Sequence, residues 1–280
     1  MILCGHPKGN RQPFHPVFPP PLTPAPLPLA LLAGPHRNEN EQRQLASALG
    51  IPLVEDLRVA TLLLQFGPDG LSLVKPGDPL LPGRLRADFS APDFRRRLLQ
   101  PGRELLVQAA KIQKCRQPLI IDATAGLGRD GFLLAAAGCR VRMIELHPVV
   151  AALLADGLER AQNSPALATT AGRIELIVGD AREHLLRLPK PPDVVFLDPM
   201  FPERTKAALV GQELRLLQLL DQKDSDPVAL LSVALAVSAR KVVVKRPLKA
   251  QPLAALAPSY TRRGKAVRFD VYVGKEKSSG

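Results

Sequence analysis

Beyond Gln117 the chain alternates short apolar runs with longer stretches of mixed polarity. The runs at 119–122, 140–145, 174–178, 194–198 and 241–245 are rich in Val, Ile and Leu. Near-continuous apolar runs of this length predict strands buried on both faces, as in a parallel sheet covered by helices. The segments between them have helical length, and 148–161 begins with a proline, which the first turn of a helix accepts. A last run, 268–273, alternates as a strand with one exposed face would. Together these elements predict an α/β domain over 117–275, Rossmann-like, with helices on both faces of a mostly parallel sheet.

The pattern upstream is different. Residues 1–35 hold ten prolines, including FPPPLTPAPLP, a density that blocks both helix and sheet pairing. The expectation for 1–37 is an extended or disordered arm. From Asn38 onward, a short helix at 41–49 and two strand-like runs, 58–66 and 71–75, flank the turn Gly67-Pro68-Asp69-Gly70. A small N-terminal α/β unit over 38–85 is predicted, then a basic connector over 86–116 that is helical from 92 to 112. Residues 276–280 read as a tail.

Composition narrows the functional classes. The 38 Lys and Arg against 26 Asp and Glu give a formal charge of +12, with a pI near 10.1. This balance favours a polyanionic partner, most often nucleic acid. Cys4, Cys115 and Cys139 have no CxxC spacing and are odd in number, which argues against a zinc site and against a disulfide framework. A reducing, cytoplasmic setting and no metal are expected. No apolar run approaches the roughly 18 residues that cross a membrane.

The chemistry begins in DATAGLGRD, residues 122–130, where the first strand meets a glycine-bearing turn and a helix. Gly126, Gly128 and Gly131 satisfy a loose GxGxxG, which alone also fits a dinucleotide. Asp122 at the strand end, however, would repel a pyrophosphate and welcome an ammonium group. Arg129-Asp130 suits a zwitterionic amino-acid tail. Glu145 ends the second strand, where an acid accepts both ribose hydroxyls, and Asp180-Ala181 follow the third, within reach of an adenine amino group. Each acid alone reads as a helix N-cap or a surface charge. In series, one after each of three strands, they predict S-adenosylmethionine and the seven-stranded class I methyltransferase fold.

The fourth strand runs into Asp198-Pro199-Met200-Phe201-Pro202. Methyltransferases of base amines carry a [DN]-P-P-[YF] turn here, because the amine lone pair is delocalised into the ring. An acid and the next carbonyl accept its two N–H groups, and the aromatic ring stacks on the base. The roles fall to Asp198, the Pro199 carbonyl and Phe201, with Met200 in place of the second proline. Arg95, Arg96, Arg97 and Arg103, then Lys245 and Arg246, and then Arg262, Arg263, Lys265 and Arg268 form basic clusters suited to phosphates. His147 and His184 have no partner pattern and read as surface or capping residues.

DATAGLGRDGFLLAAAGCRVRMIE, VVFLDPMFPERTKAALV, RKVVVKRP and GKAVRFDVYVG resemble the ribosomal RNA small-subunit methyltransferase J family, over about residues 45–274. The resemblance implies methylation of the N2 amine of one guanine in 16S rRNA, on the small ribosomal subunit. It implies cofactor contacts at Arg129 with Asp130, Glu145 with Leu146, Asp180 with Ala181, and Asp198. Leu146 departs from an arginine usual in the family, Asp180-Ala181 from small hydroxyl residues, and 95–104 keeps only Gly102 of a glycine-rich loop. Two alternatives stay open on the residues: adenine-N6 methylation of RNA or DNA, and an inactive RNA-binding assembly factor.

Overall fold

Two sheets organise the chain, and the larger one has the order that creates a binding crevice. The computed structural model describes residues 29–80, 83–111, 115, 117–199, 212–220, 226–238 and 240–274. The calls on residues 1–28 and 276–280 lie outside the described residues.

The smaller unit comprises β1 (Leu29–Leu32), α1 (Glu39–Leu49), β2 (Leu53–Val54), β3 (Leu62–Gly67) and β4 (Gly70–Val74). Its sheet order is β2-β1-β3-β4. The hairpin falls where the turn residues put it, with β3 antiparallel to β4. Asn38 caps α1 by accepting the N–H of Glu41, and Gly50 closes it in the left-handed conformation. The arm predicted over 1–37 needs correction at its end. Leu29–Leu32 is a strand inserted in parallel between β2 and β3. LALL has no proline after Pro28 and carries apolar side chains to both faces, and Leu31 is fully buried.

Next come α2 (Pro92–Leu99) and α3 (Leu105–Ala110), separated by a single 3-10 turn at Pro101–Arg103. The one helix predicted over 92–112 is therefore broken. Pro101 has no N–H to donate and drives Gln100 out of helical geometry, to φ −138° and ψ 60°.

The larger sheet is built from β5 (Leu119–Asp122), α4 (Arg129–Ala136), β6 (Arg140–Glu145), α5 (Pro148–Gln162), α6 (Ala168–Ala171), β7 (Ile174–Val178) and α7 (Ala181–Leu186). After these come β8 (Val194–Leu197), α8 (Gln212–Leu219), α9 (Pro227–Val237), β9 (Lys241–Pro247), β10 (Tyr260–Arg263) and β11 (Val267–Val273). The order is β10-β11-β9-β8-β5-β6-β7. Pairs β5–β6, β5–β8, β6–β7 and β8–β9 are parallel, and β11 is antiparallel to both its neighbours. The tail strand is not half-exposed as its alternation suggests. Flanked by β9 and β10, it buries Arg268 and Asp270 as a pair at 2.9 Å, so its polar positions are satisfied inside. β10, which turn-poor basic sequence concealed, supplies the edge.

The two units share a core. Val149, Val150, Ala152 and Leu153 of α5 pack with Leu31, Leu62, Leu64, Leu71 and Leu73 of the small sheet. Arg37 reaches Glu159 at 3.0 Å and Arg160 reaches Asp156 at 2.8 Å along the same seam. Among the described residues no helix is long and apolar enough to cross a membrane.

Candidate active site

β5 lies between β6 and β8, so the chain leaves the middle of the sheet in opposite directions on either side of it. In such sheets ligands bind beyond the carboxyl ends of the strands at this switch point. Asp122, Glu145 and Asp198 stand at the ends of β5, β6 and β8, and Lys245 lies in β9 beside β8. Gly128 begins α4 at φ +77°, a conformation that glycine adopts without strain. Three residues on, Gly131 leaves no room for a side chain: a Cβ there would sit 2.8 Å from Asp122 Oδ2 and 2.6 Å from Met143 Cε. The helix is thereby brought against the strand end.

Four acids converge. Asp122 is 1 % exposed, and burial, then the Asp130 charge, push its carboxyl well above the usual carboxylate range. Its Oδ1 accepts the N–H of Thr124 at 3.3 Å. Glu145 is buried too; its Oε2 accepts the N–H of Gly126 at 2.7 Å and its Oε1 that of His147 at 2.9 Å. Burial raises the Glu145 carboxyl, and these backbone donors oppose the rise. The acid expected to meet a ribose therefore also staples the glycine turn to β6. One donor per oxygen leaves further acceptor capacity on each.

Across the crevice, Lys245 Nζ donates to Asp130 Oδ2 at 2.7 Å and to Asp198 Oδ2 at 2.8 Å. Burial works against the lysine's charge, and the two carboxylates overcome it and hold the ammonium above its ordinary range. Burial raises Asp198, Lys245 pulls it down, and Asp130 pushes it up again, leaving its carboxyl above the usual range. Thr124 Oγ1 accepts the backbone N–H of Asp198 at 2.6 Å, which joins the turns after β5 and β8. Pro199 is buried beside it, and Met200 and Phe201 lie outside the described residues.

Other predicted residues are placed as follows. Arg129 and Leu146 are exposed. Ala181 is buried in α7. Asp180, expected to reach an adenine amine, instead accepts the N–H of Arg182 at 2.8 Å and pairs with its guanidinium. These bonds hold its carboxyl below the usual range. The sequence GDAREHLL makes it an N-cap, and Arg182 two residues on occupies both oxygens. His147 caps α5 through Nδ1.

The basic clusters divide. Arg95, Arg96 and Arg103 are exposed, and Arg97 pairs with Glu104 at 2.8 Å. Arg246 and Arg268, expected to face phosphates, are buried instead. The first donates to the Gln251 carbonyl at 2.7 Å, and the second to the Pro247, Leu248 and Ala250 carbonyls. Alternation along β9 and β11 turns both inward, where they fix the loop after β9. Arg262, Arg263 and Lys265 stay exposed on the β10–β11 hairpin, whose Gly264 closes onto Leu105 of α3. Two clusters some 160 residues apart in sequence thus share one side of the molecule.

Lys245 and Thr124 are the residues that sequence reasoning misjudged. Lys245 was grouped with a surface cluster, and Thr124 carried no signal, because only the adjacency of β5, β8 and β9 reveals what they touch. Four acids about one lysine make a net negative crevice. It fits the sulfonium and ammonium of S-adenosylmethionine and disfavours a pyrophosphate.

Comparison with known proteins gives the same class. A family described as "Putative SAM-dependent methyltransferase" matches residues 45–274. A protein of Thioalkalivibrio sulfidiphilus named ribosomal RNA small subunit methyltransferase J is 45 % identical over 82 % of this chain and 91 % of its own length. One of the same name from Dechloromonas aromatica is 43 % identical, over 81 % and 93 %. The crystal structure of a SAM-dependent methyltransferase from Neisseria gonorrhoeae superposes with a TM-score of 0.69 at 33 % identity, covering 88 % of this chain and 96 % of that one.

Proposed function

The chain belongs to the ribosomal RNA small-subunit methyltransferase J family, and from that premise we propose that it methylates the N2 amine of one guanine in 16S rRNA. The observation that carries this reading is the Asp198 carboxylate, held at the end of β8 beside a crevice of acids. S-adenosylmethionine, when bound, supplies an electrophilic methyl group on a positively charged sulfur. Asp122 and Asp130 are suited to its ammonium end, Glu145 to its ribose, and the turn from Gly126 to Gly128 to its methionine part.

Asp198 and the Pro199 carbonyl accept the two N–H groups of the guanine amine. This draws the nitrogen toward tetrahedral geometry and aims its lone pair at the methyl carbon, so positioning supplies most of the rate. As the N–C bond forms, the nitrogen loses one proton through the Asp198 carboxylate to solvent. Phe201 is the proposed platform under the base. Exposed Arg95, Arg96 and Arg103, with Arg262, Arg263 and Lys265, are suited to the rRNA backbone. A ribosomal substrate implies a cytoplasmic protein.

The test uses small subunits from a strain lacking its own copy of the enzyme, with labelled cofactor and mapping of the product. N2-methylguanine at one 16S position is expected. Asp198→Ala should lower the rate by on the order of 10²–10³-fold, the cost of one preorganised hydrogen-bonding group, with circular dichroism unchanged. N6-methyladenine as the product would replace the guanine assignment, and an active Asp198→Ala would remove Asp198 from the chemistry.

A further inference from the structure

We propose that Lys245 is a positioning residue for methyl transfer, keeping the Asp198 carboxylate charged and oriented so that it can accept the substrate's N–H. The task of Asp198 rests on the function proposed above, whereas the link from Lys245 to Asp198 rests on geometry. The Lys245 ammonium lies 2.8 Å from Asp198 Oδ2 and 2.7 Å from Asp130 Oδ2. Its backbone is fixed in β9, where Val244 pairs with Leu197 immediately before Asp198. Both bonds are made from a side chain only 25 % exposed.

An acceptor of two N–H groups must be ionised, because a protonated carboxyl presents a donor to a donor. The surroundings of Asp198 favour protonation. Burial penalises its charge, Asp130 of α4 repels it, and Asp122 of β5 and Glu145 of β6 add negative charge to the same crevice. On the far side of Asp130, Arg97 of α2 supplies positive charge, but it is paired with Glu104. Lys245 is the described cation that hydrogen-bonds Asp198 itself. Because it engages Oδ2, Oδ1 is left for an incoming donor. An ammonium so occupied is unsuited to the phosphate contact that its sequence neighbourhood suggests.

The experiment is a titration of the cofactor-free full chain, with 13C-labelled aspartate carboxyls followed by NMR and Asp198 assigned with D198N. K245M should move the Asp198 midpoint up by about one unit or more, a tenfold change in proton affinity or greater. K245R keeps the charge and should leave the midpoint near that of the wild type. D130N removes the repelling charge while keeping Lys245, and should move the midpoint down, so the proposal stays testable if K245M folds poorly. In single turnover on small subunits, the acid limb of K245M should shift upward, with the rate recovering at high pH. An unmoved midpoint in K245M, an upward shift in D130N, or a rate loss equal at every pH would overturn the role. A wild-type enzyme inactive on rRNA would overturn the functional reading and leave the titration standing.

Discussion

At the end of β5, Asp122 is buried beside two other aspartates, so its carboxyl holds a proton more tightly in the folded protein than in the unfolded chain. The sign of the linkage follows. A raised native value means the folded state binds more protons, so stability falls as pH rises from about 4 toward that value. Asp122→Asn removes this cost, and thermal unfolding at neutral pH should move to higher temperature, with a flatter pH dependence. The same change should weaken binding of the cationic cofactor on the order of tenfold or more, as expected for loss of a charged partner. Calorimetry on both states checks the trade. Glu145→Ala should cost about 1–3 kcal/mol in cofactor affinity, and a similar amount in urea stability, because the Gly126 and His147 N–H groups lose their acceptor.

The elements explain where expectations were met and where they were not. Strands β5 to β9 were legible because continuous apolar runs have one comfortable place, the middle of a covered sheet. β1 was hidden by the prolines that precede it, yet it lies between two other strands of the small sheet. Truncation after residue 36 should therefore expose the face of α5 that β1 helps to cover, lower the unfolding temperature and lose activity. A scan of the truncated protein against the full chain decides the matter. Asp180 shows the opposite lesson: its acid was correctly noticed and assigned to an adenine, although a helix start claims it. Asp180→Ala should lower stability by about 1 kcal/mol in urea, the usual worth of an N-cap. Cofactor affinity, measured by titration, should change little.

Across the whole molecule, the +12 charge is unevenly used. Arg246 and Arg268 spend theirs on buried carbonyls, Lys245 on the crevice, and the exposed remainder on α2, the turn after it and the β10–β11 hairpin. Binding of rRNA should weaken with salt, since each neutralised phosphate releases counterions. Replacing Arg95, Arg96 and Arg103 together by Ala should reduce the slope of log affinity against log salt by about 2 to 3, if each meets one phosphate. Filter binding across a salt series measures it, and single-turnover rates at saturating enzyme should be less affected.

By itself the sequence determined the alternation of strands and helices, the glycine turn into α4 and the acids after successive strands. These are local matters, set by side-chain periodicity and backbone preference within a few residues. DPMF and the long motif strings also revealed the class of chemistry. Only the tertiary structure decided which charges meet. Lys245 and Asp198 are 47 residues apart and Lys245 and Asp130 are 115 apart. They touch because β9, β8 and β5 are neighbours in the sheet, an order set by how the helices cover both faces. Whether an arginine faces RNA or a buried carbonyl likewise depends on the face to which its strand turns it, and that face is defined only once the strands on either side are in place.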